Sequence, residues 1–115
     1  MKVKLDFITN SSSTAFMIQN TSDKDLNLTD FAAENMQLLD QYKAMYNWNK
    51  DDPRYTPLRL LESAAQNNIE FKAGDRKRCI FGDEDGTIIG AVYDYMLRDG
   101  GTSKNFKWRF KEWLR

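Results

Sequence analysis

The sequence predicts an α+β protein: a small antiparallel or mixed sheet of about five strands, with about three helices largely on one side. Three observations predict it. The chain opens with the two-residue apolar period of a strand, Met1 to Ile8, and Phe106 to Lys111 near its end repeats that period. Helical periodicity is confined to segments between them, and the order β-β-α-α-β-β-α-β contains no regular βαβ unit. With 115 residues, of which 41% are hydrophobic and 13% aromatic, one domain spanning 1–115 with one core is expected.

Each element has its own signal. In the opening segment Val3, Leu5 and Phe7 alternate with Lys2, Lys4 and Asp6, and Thr14 to Gln19 is a second run of strand length. Between them lie Asn10, Ser11, Ser12 and Ser13, whose side chains bond their own backbone in turns, so an N-terminal hairpin is expected. Leu26 and Leu28 suit a short extended piece. Thr29 reads as an N-cap with Asp30 in the first turn, and Phe31, Leu38, Tyr42, Met45 and Tyr46 share one face of a single helix.

Trp48 to Tyr55 is a loop, and Thr56-Pro57 starts a helix with Leu58, Leu61 and Ala65 as its buried side. Asn67-Asn68 ends it. Ile69 to Lys72 and Arg78 to Phe81 are short strands around the turn Ala73-Gly74-Asp75. Thr87 caps a third helix through Arg98, with Ile88, Val92, Tyr95 and Met96 apolar and Gly100 at the C-cap. The β-branched start of that segment also admits a strand. In the last strand Phe106, Trp108 and Phe110 alternate with Lys107, Arg109 and Lys111, giving one aromatic and one basic face.

Composition narrows the chemistry. Basic and acidic residues number 17 each, so no net field draws the chain toward nucleic acid or membrane. The balance is uneven, however: three basic and seven acidic residues lie between Asn20 and Asp52, against five basic and one acidic from Lys104 to Arg115. The absence of histidine removes the Ser-His-Asp and Cys-His nucleophile sets and every histidine metal site. No catalytic residue is therefore assigned.

Cys79, the single cysteine, cannot form an intramolecular disulfide and reads as a small buried apolar residue within Arg78-Cys79-Ile80-Phe81. Asp83, Glu84 and Asp85 are the best metal candidates, but they lack the spacing of a calcium loop and read as a solvated turn. No metal or cofactor is expected. Thr9 to Thr14 has neither the glycines nor the lysine of a phosphate loop and reads as a polar turn. Glycosylation sequons at Asn10, Asn20 and Asn27 stand without a secretory signal, and no apolar run has membrane length, so a cytoplasmic location is expected.

The aromatic and basic alternation near the C-terminus raises nucleic-acid binding, which combines stacking with phosphate neutralisation. Arg76, Lys77 and Arg78 would enlarge a patch on Lys107, Arg109 and Lys111 if their strands lie close. If the three rings are buried, only the basic face remains, without a stacking platform.

The opening KVKLDFITNSSSTAF resembles an N-terminal signature of small bacterial and phage proteins, K-x-R-x-D-F-V-T-N-S-S-S-S-S-F, with Thr14-Ala15 where serines are usual. FGDEDGTIIGAVYDYMLRDGG and the following SKNFKWRF resemble a second block found in some of them. No activity and no catalytic residue come with the resemblance. It implies a bacterial or phage origin, association with a virion in the phage case, and an opening element that serves docking. The expectation is a non-enzymatic interaction or assembly module that binds a protein partner through the loop Asn10, Ser11, Ser12 and Ser13, through its charged faces, or both. The alternative is a nucleic-acid-binding accessory protein using Arg76, Lys77, Arg78, Lys107, Arg109 and Lys111.

Overall fold

The computed structural model describes residues 13–45, 53, 55–67, 69–82 and 87–114. In chain order these form β1 (Ser13–Asn20), β2 (Leu26–Asn27), α1 (Leu28–Glu34), α2 (Gln37–Met45), α3 (Pro57–Asn67), β3 (Glu70–Phe71), β4 (Arg76–Gly82), α4 (Ile88–Met96), β5 (Gly101–Thr102) and β6 (Phe106–Leu114). β4, β1, β6 and β5 make an antiparallel sheet in that order, and β2 pairs with β3 in a second, two-stranded sheet. This is the α+β class expected.

β1 is paired along both edges. β1 has β4 along one edge, from Ser13 opposite Gly82 to Gln19 opposite Arg76, and β6 along the other, from Ser13 opposite Leu114 to Asn20 opposite Phe106. The first strand of the expected hairpin, Met1 to Ile8, and the loop residues Asn10, Ser11 and Ser12 lie outside the described residues. Ser13 begins β1, half-buried beside Gly82, where a Cβ would stand 2.6 Å from its hydroxyl oxygen.

Strand alternation sends Thr14, Phe16, Ile18 and Asn20 to the core face of β1, all fully buried. Phe81 and Cys79 on β4 and Phe106 and Trp108 on β6 join them. Helices cover this face. Phe31 of α1 is the hub, edge-on to Tyr93 of α4 at 5.4 Å, to Phe106 at 5.1 Å and to Trp108 at 5.2 Å. Such perpendicular rings add about 0.5–1.5 kcal/mol per pair beyond the area that they bury.

Helix placement departs from the sequence pattern in three ways. The single helix expected through Tyr46 breaks at Asn35, where the side-chain amide donates to the Phe31 carbonyl at 3.1 Å and to Ser103 at 3.1 Å. Its N-cap is Asn27 rather than Thr29: Asn27 accepts from the Asp30 N–H at 2.9 Å while Asp30 accepts from the Asn27 N–H at 3.0 Å, a reciprocal capping box.

α3 starts at Pro57 as expected, but it buries Leu60, Ser63 and Ala64. Leu58 is 67% exposed, Ala65 is exposed and Leu61 half-buried, because the stripe turned inward is the one on which Ser63 accepts from the Ile89 N–H of α4 at 3.1 Å. α4 begins after its N-cap Thr87, whose hydroxyl accepts from the Gly90 N–H at 3.0 Å, and buries Ile89 through Asp94. Of the apolar set expected there, Val92 is fully buried and Ile88, Tyr95 and Met96 only partly. α4 is enclosed by β4, α2 and α3, so burial runs around much of its circumference.

Candidate functional site

The other face of the four-stranded sheet carries charge. Because β1 lies between β4 and β6, the register sets side chains in rows: Arg76, Gln19, Lys107 and Thr102 in one, Arg78, Met17 and Arg109 in the next, and Ile80, Ala15 and Glu112 in the third. Strand spacing puts the β4 and β6 members of a row about 10 Å apart, and alternate residues along a strand are about 6.7 Å apart. Arg76, Arg78, Lys107 and Arg109 are exposed, and Met17 and Gln19 are half-buried between them. A shallow depression follows this layout, lined by Met17, Gln19, Arg76, Lys107, Trp108 and Arg109.

Of the six predicted basic residues, four meet on this face and two do not. Lys77 stands opposite Ile18, so it points with the core-face set of β4 and reaches solvent at the sheet margin. Lys111 is the extra residue of a β-bulge: Phe110 pairs with Phe16 but Glu112 with Ala15. The bulge also reverses side-chain parity beyond it. Glu112 comes to the charged face, where Arg78 donates to its carboxylate at 3.0 Å, and Trp113 turns to the helix side. Arg76, Lys107 and Arg109 have no acidic partner among the described residues.

The aromatic residues do not form a stacking platform there. Phe106 and Trp108 are buried and Phe110 is half-buried, on the opposite face of β6. Gly101, across from Trp108, is the reason the indole fits: a Cβ at that position would stand 2.6 Å from its ring. Met17, Gln19 and Glu112 escape sequence reasoning. The first two are legible in retrospect from the phase of β1, since Phe16 and Ile18 claim the core and leave Met17 and Gln19 outward. Glu112 has no such signal, because the bulge that moves it depends on pairing with β1.

Three other polar clusters brace the fold. Thr14 and Arg98 both donate to the Asp94 carboxylate, at 2.6 and 3.2 Å, and Asp94 is only 1% exposed. The Arg98 guanidinium also lies over the rings of Tyr95, at 4.5 Å, and Trp113, at 4.7 Å. Glu34 accepts from Ser103, from the Asn105 N–H at 2.8 Å and from the Asn105 amide at 2.7 Å. Burial pushes the Glu34 carboxyl upward, but these hydrogen bonds together with nearby Lys104 hold it below the ordinary value. Asn20 is fully buried: its amide donates to the carbonyls of Lys24 and Phe71 while its oxygen accepts from Ser22. The sequons at Asn20 and Asn27 thus fall on a buried brace and a helix cap.

Cys79 is buried in the core as expected, and burial pushes its thiol up to about 12. Asp83, Glu84 and Asp85 lie outside the described residues, among which no three of His, Cys, Asp and Glu gather within metal-binding range. No described helix is long and apolar enough to cross a membrane. Compared with family models, curated proteins and solved structures, the chain matches none of them.

Proposed function

We propose that the protein is a non-enzymatic interaction module, belonging to a bacterial or phage assembly, that docks a protein partner on the charged open face of its sheet. The observation that carries this reading is the pair of rows Arg76-Gln19-Lys107 and Arg78-Met17-Arg109, which set four cations around a half-buried methionine. Arginine and methionine are enriched at protein interfaces, and the third row adds Ile80, which is 48% exposed. A chain without histidine, whose single cysteine is buried, offers little to nucleophilic or general-base chemistry.

The same four cations support nucleic-acid binding as the second reading. It is the weaker one, because Phe106 and Trp108 are turned into the core and cannot stack on bases.

A pull-down with a C-terminal tag, with and without nuclease, tests the two readings against each other. The comparison variant is Lys107→Glu/Arg109→Glu, checked for an unchanged circular dichroism spectrum and melting temperature. A stoichiometric protein that survives nuclease and is lost with the folded variant supports the protein-docking reading. Recovery of nuclease-sensitive material alone, lost with the same variant, replaces it with the nucleic-acid one.

A further inference from the structure

The charged face holds one observation that bears on ligand chemistry. In the free protein a carboxylate already sits on it: Glu112, delivered by the bulge at Lys111, accepts from the Arg78 guanidinium at 3.0 Å with both side chains about half exposed. Arg109 stands across Met17 from Arg78 in the same row, and Arg76 and Lys107 flank Gln19 in the row beside it. These three have no carboxylate among the described residues. One cation of the four is thus occupied from within the chain, and three remain for a ligand.

Resting on the docking reading above, we infer that the ligand is an extended polypeptide segment with carboxylates at every second residue, seated along β1, and that Glu112 competes with it for Arg78. The floor under such a segment is Met17 and Gln19, both half-buried, and the cations form its two walls. A strand-like segment repeats its side chains every about 6.7 Å on one face, which is the spacing of Lys107 to Arg109 and of Arg76 to Arg78 along their strands. Arginine forks grip carboxylate and phosphate alike, so geometry at the guanidinium does not choose between them. The surroundings do. Met17 and Ile80 offer apolar contact to peptide side chains, whereas the rings that would stack on bases face the core. Binding of this kind needs no reaction, only displacement of the Glu112 carboxylate by one from the ligand.

Fluorescence anisotropy on the full chain decides the matter, with three labelled probes in the same low-salt buffer. The probes are a blocked ten-residue peptide with glutamate at alternate positions, a peptide of the same composition with its glutamates in one block, and a single-stranded oligothymidylate of matching charge. The alternating peptide is expected to bind at least tenfold more tightly than the other two and to weaken at least tenfold in Arg109→Glu. Glu112→Gln should tighten it about threefold or more, while Glu62→Gln, an equal change of charge on the exposed side of α3, leaves it unchanged.

Equal binding of the blocked-glutamate peptide overturns the alternating spacing, and an unaltered affinity in Glu112→Gln overturns the competing role of Glu112. Tighter binding of the oligonucleotide overturns the peptide ligand, although the face would still be the docking surface. If no probe binds, the ligand class fails, and the nuclease-controlled pull-down separately decides the docking reading.

Discussion

Thr14 donates its hydroxyl to the Asp94 carboxylate at 2.6 Å, tying the start of the central strand to the middle of α4 across 80 residues of chain. Arg98, four residues on and just past the end of that helix, donates to the same carboxylate oxygen. A buried carboxylate is tolerated when its lone pairs are used, and here a hydroxyl and a guanidinium share the task. Replacing Thr14 by valine keeps the shape but removes the donor, and should destabilise the protein by about 1.5–3 kcal/mol in urea unfolding. Thr14→Ser keeps the donor and should cost less than half as much.

Glu34 predicts a pH dependence with a definite sign. Its carboxyl, ordinarily near 4.5, is held lower in the folded protein by Ser103, Asn105 and Lys104, which outweigh the upward push of burial. A group whose folded value is depressed contributes stability above its unfolded value and loses it as the pH falls through the folded one. The stability difference between wild type and Glu34→Gln should therefore be constant above about pH 5.5 and shrink steadily below about pH 4.5. Urea midpoints measured from pH 7 to pH 3 read this directly. A difference that stays level over that range would show that Glu34 serves the Ser103–Asn105 turn by shape alone.

What was legible in the sequence was whatever a period of two or a local cap determines. The alternation in Phe106-Lys107-Trp108-Arg109 separates core from charged face, and the strand bounds around Arg78–Phe81 hold to within a few residues. What was not legible depends on a partner far away in the chain. Asn35 breaks a periodic helix because Ser103 accepts from its amide, and no window around Asn35 contains Ser103. α3 packs through Ser63 because the Ile89 N–H donates to its hydroxyl at 3.1 Å, so counting apolar residues chose the outward stripe. The charged face was half legible for the same reason. Its residues are evident as basic, but their meeting requires β1 to lie between β4 and β6, and the parity change at Lys111 requires the β1 pairing as well.

Cys79 should be inert in the native state. It is 2% exposed, its S–H donates to the Lys77 carbonyl at 3.7 Å, and burial raises its thiol to about 12, so almost no thiolate exists near neutral pH. Ellman's reagent at pH 8 should label the folded protein at least a hundredfold more slowly than the unfolded chain, with labelling that tracks the unfolding transition in urea. Rapid labelling without denaturant would place the thiol at the surface.

Gly101 and Trp108 provide the sharpest packing test. They face each other across the β5–β6 pair, and a Cβ on Gly101 would stand 2.6 Å from the indole ring, closer than any side-chain contact allows. The ring has little room to yield, since Phe31 is edge-on to it at 5.2 Å and only 6% of Trp108 is exposed. Gly101→Ala must therefore displace either the indole or the short edge strand β5, at a cost of about 1–3 kcal/mol. Replacing Trp108 by leucine removes the clash together with much of the packing, so Gly101→Ala should cost far less in that background. A double-mutant cycle in urea is expected to give a coupling above about 1 kcal/mol. Additive effects would mean that the glycine answers to the backbone of the β5 turn rather than to the indole that it faces.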